Sequence, residues 1–310
     1  MSPLEFLAGH TYRTVLFGTM PIGLVAGALG TFAYLRKQSL ISDVVAHAAL
    51  PGTLLAFLAA VLVLGADGRN MIGLVLGAVI VGTLAVWLAN GITRVSKIRI
   101  DTAMAVSLAL FFGAGLLLMR VILDGDFPGK GGIQDYLFGN ASVITRADVI
   151  TSSVVGALAL AVMIVFWKEF ALRTFDPDHS TVLGFCARVI DTLMFATIVV
   201  ATVIGVKAVG LVLMVAFVVT PPAAARQWTR TLPAMVVLAG LFGALGSGLG
   251  AYLSVILGGI PTGPLIVLTL FAIFLVSLVL SPRRSIIARA VARTRARTAL
   301  KRELLQEATR

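Results

Sequence analysis

The chain has 310 residues, 59% hydrophobic and only 13% charged, whereas a soluble globular domain carries about a quarter charged residues. With a mean hydropathy of +1.02, this composition excludes an ordinary soluble fold and reads as a polytopic membrane protein. The net charge of +11 (25 basic against 14 acidic residues) sits between apolar runs and in one tail, the pattern of a cytoplasmic positive bias and not of a nucleic-acid surface. Cys186 is the single cysteine, which excludes an internal disulfide and any cysteine cluster for metal or iron–sulfur.

The first twelve residues have neither a basic n-region nor a small-residue cleavage site, so the first apolar run is expected to remain as a span. That run covers 15–35 and ends at Arg36 and Lys37. A second covers 44–64, followed by the polar turn Asp67-Gly68-Arg69-Asn70, and a third covers 71–89. Residues 90–101 carry Arg94, Lys97 and Arg99 and read as a cytoplasmic loop. The fourth run is 103–123. Residues 124–148 are rich in Gly and Asp, and 135–140 within them suit a short interfacial helix or a re-entrant piece. The fifth run is 149–167, then comes a polar block, 168–188. The sixth run is 189–206, and Lys207 separates it from the seventh, 208–225. The eighth is 235–257, the turn 258–264 follows, and the ninth is 265–280. The fold class is therefore all-α, a bundle of nine transmembrane helices, or eight if Lys207 marks a break inside one hairpin.

Arg36/Lys37, Arg94/Lys97/Arg99, Lys168/Arg173, Arg226/Arg230 and Arg283/Arg284 fall at alternate boundaries. Placing them inside puts the N-terminus outside and the C-terminus in the cytoplasm. Arg69, Arg120, Lys130 and Arg146 dissent, sparsely. Residues 1–282 form one membrane domain. Residues 283–310 form a basic amphipathic cytoplasmic tail, in which Ile286, Ile287, Ala290, Val291, Leu300, Leu304 and Leu305 alternate with arginines, suited to rest on anionic lipid headgroups.

Three features carry chemistry. Asp43 and His47 are four apart and share one helix face. A carboxylate and an imidazole suit zinc or manganese, and ionisable groups in a membrane usually face a bundle interior or a watery path. The competing reading makes Asp43 a helix cap and His47 a satisfied core donor. Pro51 is expected to kink the helix one turn after His47, Gly52 to relieve the crowding, and the break to open a cavity beside the imidazole. Asp191, at the start of the sixth run, is a candidate third oxygen ligand, or else an ion-pair partner of Arg188 or of the helix dipole. Within the polar block, Asp176-Pro177-Asp178-His179-Ser180-Thr181 reads as a turn feeding a short helix that ends at Gly184. No Gly-x-x-x-x-Gly-Lys-Ser/Thr segment occurs, so the chain does not hydrolyse ATP by the P-loop route. The nine methionines are scattered, against a copper(I) relay.

Four stretches carry a family resemblance, in order along the chain. They are Ser39-Leu40-Ile41-Ser42-Asp43 with His47-Ala48-Ala49-Leu50-Pro51-Gly52; Tyr136-Leu137-Phe138-Gly139; Phe175-Asp176-Pro177-Asp178-His179; and Ala208-Val209-Gly210-Leu211-Val212-Leu213 through Thr220-Pro221-Pro222-Ala223-Ala224-Ala225-Arg226. Together they resemble the membrane permeases of zinc/manganese/iron ABC importers, over about 15–282. Pro222 departs from the alanine usual in the family, residues 124–132 form a longer turn, and the tail is longer.

The resemblance implies the ABC importer permease fold in a bacterial plasma (inner) membrane, without catalytic residues or a permanently bound cofactor. The cargo would be Mn2+, Zn2+ or Fe2+, carried along an interface with a second copy or a close paralogue, with Asp43, His47 and Asp191 as path ligands. Two ATPase subunits would bind ATP and dock on a coupling helix formed around Phe175, Asp176, Pro177, Asp178, His179 and Gly184. An extracellular or periplasmic metal-binding protein would deliver the ion. The alternatives are an ABC permease for a siderophore or cobalamin-type solute and a secondary metal transporter that needs no ATP.

Overall fold

The computed structural model describes residues 10–36, 40–63, 65, 71–128, 146–209, 211–257 and 260–281. Among them are eleven helices and no strand: α1 (His10–Leu35), α2 (Leu40–Leu62), α3 (Met71–Val95), α4 (Ile100–Asp124), α5 (Arg146–Val165), α6 (Trp167–Phe175), α7 (Pro177–Val182), α8 (Ala187–Val209), α9 (Leu211–Trp228), α10 (Leu232–Leu257) and α11 (Thr262–Leu280). Long apolar runs take this form because a helix satisfies every backbone N–H and C=O within the segment, which lipid cannot do. Six helices, α1 to α4, α10 and α11, are long and apolar enough to cross a membrane. The pair α5–α6, bent by 69°, makes a seventh if it counts as one span. The expectation of nine or eight spans is thus met only as an all-α polytopic bundle with six to seven such spans. The turn 66–70, the stretch 135–140 with Tyr136 to Gly139, and the tail 283–310 lie outside the described residues.

Small residues set the helix packing, as they do where lipid supplies no hydrophobic drive between helices. The most extensive contact is α1 on α10. There a Cβ on Gly23 would meet the Gly243 carbonyl and the Ser247 hydroxyl, and one on Gly243 would meet the Gly23 backbone. Two turns further along α10, Gly250 lies against the backbone of Ile266 on α11. A second close crossing joins α2 to α3 through Gly52 and Gly77, each lying against the other's carbonyl. Between these two units α8 touches α1, α2, α3, α5, α6, α7, α9 and α11. Buried hydroxyls are satisfied within the bundle: Thr19 donates to the Val15 carbonyl at 3.0 Å, and Ser107 of α4 donates across to the Ala85 carbonyl of α3 at 2.8 Å.

Several boundaries differ from the sequence expectation. Pro51 lies inside α2, which continues to Leu62; Gly52 serves the crossing with α3 instead of relieving a break. The doubled Pro221–Pro222 likewise lies inside α9, which runs on to Trp228. Helix α3 extends through Asn90 and Arg94 to Val95, so only a few residues join it to α4. Arg120, which dissents from the charge bias, pairs with Asp124 one turn on at 2.8 Å. The fifth run does not continue to Trp167: α5 stops at Val165, the chain bends at Phe166, and α6 starts at Trp167 inside what reads as a polar loop. Helix α6 exists because Trp167 and Phe170 share a face. That face packs edge-on against Phe32 of α1, with ring centroids 6.0 and 5.7 Å apart.

Candidate metal path and its neighbouring charged junction

Asp43 lies in the first turn of α2, where the unpaired N–H groups of the helix start favour a negative charge. His47 follows one turn later, and its Nε2 is 3.3 Å from Asp43 Oδ1. The predicted sharing of one face is what the helix delivers. The side chains are 15% exposed for His47 and 28% for Asp43, so the pair is shielded without being sealed. The flanking Val44, Val45, Ala46, Ala48, Ala49 and Leu50 are buried. On the far side, Phe112 of α4 meets the imidazole edge-on at 4.6 Å between centroids.

The reading of His47 as a satisfied core donor holds for Nε2, which faces the Asp43 carboxylate, but not for the whole imidazole. Its Nδ1 is buried and makes no hydrogen bond among the described residues. A buried polar atom left unpaired costs about 1–3 kcal/mol, so such atoms are uncommon and call for a functional or solvent explanation. Pro51 adds a second irregularity: lacking an N–H, it offers no donor to the His47 carbonyl four residues before it. Chemically the pair supplies one anionic oxygen donor and one nitrogen donor. Among the described residues no three His, Cys, Asp or Glu side chains gather as a metal site.

Asp191 sits in different surroundings. Arg36, just past the end of α1, donates through Nη1 to Asp191 Oδ1 at 2.7 Å. Arg173 of α6 donates through Nε to Oδ1 at 3.1 Å and through Nη2 to Oδ2 at 2.9 Å. The carboxylate is thus held by two guanidiniums, one of them bidentate, and its partners are Arg36 and Arg173 and not the adjacent Arg188. Sequence reasoning misses both partners, because 155 and 18 residues separate them from Asp191 and each reads as a topological charge. It misses Phe112 too, since one more phenylalanine in an apolar run carries no signal.

The polar block folds as its turn chemistry predicts. The Asp176 side chain accepts from the His179 N–H at 3.0 Å and caps α7, with Pro177 as its first residue. Gly184 takes φ +83° just beyond the helix, a conformation that favours glycine. Ser180 is buried against the bundle, while Asp176, Pro177, Asp178 and His179 face outward. Large apolar side chains flank this face in the open, with Phe175 62% and Val182 81% exposed.

A model of the ABC 3 transport family matches residues 10–281. The manganese transport system membrane protein MntC of Bacillus subtilis is 38% identical over 289 residues, which cover 93% of this chain and 65% of that protein. The chain thus spans a little under two thirds of that relative. The zinc transport system membrane protein TroC of Treponema pallidum is 37% identical over 284 residues, covering 92% of this chain and 93% of TroC. Among solved structures, PsaBC from Streptococcus pneumoniae in complex with Fab is similar with a TM-score of 0.79 at 29% identity, over 91% of this chain and 98% of that one.

Proposed function

The chain belongs to the ABC 3 transport family, and from that premise we propose that it is the permease subunit of an ATP-driven importer for divalent metal ions, manganese, zinc or iron. It is a conduit and not an enzyme; a separate ATPase subunit hydrolyses ATP. The observation that carries the metal path is the Asp43–His47 pair with its unpartnered Nδ1. A dication entering the bundle loses hydration, and the Asp43 carboxylate offsets part of that loss while His47 supplies the softer donor. Divalent ions take about four to eight ligands. Two side chains leave the rest to water or to a second permease copy or close paralogue across the path, so the ion is held loosely enough to leave. Asp191 would join as a third ligand only if the arriving ion displaced two guanidiniums.

The rest of the reading follows the family architecture. Two ATPase subunits dock on α7 and its flanks, with Phe175, Asp176, Pro177, Asp178, His179 and Gly184 in the contact, and an extracellular or periplasmic binding protein delivers the ion. Counting α5–α6 as one span and adding α8 and α9 to the six gives nine. The N-terminus is then outside, and the tail 283–310 lies on the cytoplasmic lipid surface of a bacterial plasma membrane. Cysteines placed at 68 and 262 should label from outside, and those at 97 and 178 only from inside; outside labelling at 178 refutes the topology. Cysteines across 176–184 should crosslink to the ATPase subunit; crosslinks confined to the tail would move the docking site there.

The central test is uptake of radioactive manganese and zinc by vesicles containing the whole complex. ATP-driven uptake that needs Asp43 and His47 supports the reading. Uptake that persists without the ATPase subunit would instead make the chain a secondary transporter, and uptake of a metal chelate without the bare ion would make it a siderophore or cobalamin-type permease.

A further inference from the structure

Arg173 ties three helices together. Beyond its two hydrogen bonds to Asp191 at the start of α8, its Nη1 donates to the carbonyl of Pro177, the first residue of α7, at 3.1 Å. Asp191 is also held by Arg36 at the end of α1, through the oxygen it shares with Arg173 Nε. Arg36 in turn lies over the ring of Phe195 on α8, 5.3 Å from its centroid. One turn before Arg36, Phe32 holds α6 through Trp167 and Phe170. The three charged side chains are only 15–22% exposed.

Apolar packing of Phe32 on Trp167 and Phe170 holds α6 against α1, but its driving force is non-directional. A planar guanidinium bound bidentately to a carboxylate fixes both distance and orientation. Partly burying two cations on one anion leaves one excess positive charge among these three groups, an arrangement costly to keep if a single pair sufficed to anchor a loop. The outputs of the junction also lead to the candidate path. Helix α8 packs on α2. Arg36 is four residues before the start of α2, so the two ends lie within about 14 Å.

We infer that the Arg36–Asp191–Arg173 junction couples ATP hydrolysis to ion movement by passing displacement of α7 to α1 and α8. This rests on the reading of α7 as the element that faces the ATPase. These are positioning residues and need touch neither ion nor nucleotide. Arg173→Lys keeps the charge but cannot make the three-way fork. Asp191→Asn keeps the shape but loses the charge.

The test uses the complex in vesicles with its ATPase subunits and metal-binding protein. Manganese uptake and ATP hydrolysis are measured on the same sample, and melting temperature beside them. In both variants the manganese carried per ATP should fall about tenfold while hydrolysis continues, the scale of a lost charge-assisted hydrogen bond. An unchanged ratio, even with a lower melting temperature, overturns the inference and leaves the junction a strut. If neither variant assembles, Arg36→Lys, which leaves the Arg173–Asp191 pair intact, decides by the same ratio; failure of all three to assemble is the behaviour of a strut and also counts against coupling. Wild-type complex without ATP-driven uptake sinks the importer reading itself, whereas a wild-type ratio in the variants sinks the junction alone.

Discussion

Asp43 and Asp191 are both carboxylates near the start of an apolar helix, at the same end of the bundle, yet their surroundings oppose each other. Among the described residues Asp43 is paired with an imidazole 3.3 Å away, whose other nitrogen is buried and makes no hydrogen bond there. Asp191 has two guanidiniums on it, at 2.7 to 3.1 Å. The difference teaches that an acid in a membrane helix is not by itself a cation site. What counts is the charge its neighbours leave over: the first pair keeps lone pairs and adds no fixed cation, while the second would repel an arriving dication.

The strongest way to break this contrast is to remove the first pair. Asp43→Ala and His47→Ala should each reduce manganese and zinc uptake by at least about tenfold, since loss of groups at or next to a metal typically costs that much, with assembly and hydrolysis retained. Wild-type uptake in both would return the pair to a structural role. Next in size is Gly52→Val, which forces a side chain into the Gly77 backbone and shifts the helix carrying the pair. Overpacking of this kind costs about 1–3 kcal/mol, to be read as a lower melting temperature of the complex; no change would mean that α3 yields freely.

A smaller effect is expected from Phe112→Ala, which removes the ring edge against His47. Such contacts are worth about 0.5–1.5 kcal/mol, so a several-fold fall in manganese affinity by titration is the expected outcome. The smallest is Asp191→Ala in that same titration, where affinity should stay within about twofold of wild type, inside the scatter of surface-scale changes. A loss matching that of Asp43→Ala would erase the contrast and make Asp191 a direct ligand.

Much of this was legible in the sequence for physical reasons. A bilayer demands about 20 apolar residues per span, so apolar runs mark helices, and a spacing of four marks a shared face, as at Asp43 and His47. The cap at Asp176 and the turn at Gly184 follow from local backbone chemistry. The rest depended on contacts between distant residues. Arg36 and Arg173 look like any cytoplasmic cation until the fold brings both to Asp191. Helix α6 looks like part of a loop because Lys168, Glu169 and Arg173 break up its apolar residues, and its apolar face becomes meaningful only opposite Phe32. Pro51 misleads in the other direction. In a packed bundle neighbouring helices hold the backbone together, and a proline need not end a helix.

The 69° bend at Phe166 has a mechanical consequence. Helix α6 is nine residues long, about 13 Å at 1.5 Å per residue, and it runs mostly sideways from the axis of α5. The start of α7 is therefore carried off that axis by more than the width of a helix. A push on α7 directed along the bundle would not simply drive α5 lengthwise. It would exert a torque about the bend at Phe166, and what resists that turning is the contact of Phe32 with Trp167 and Phe170 and the hold of Arg173 on Asp191.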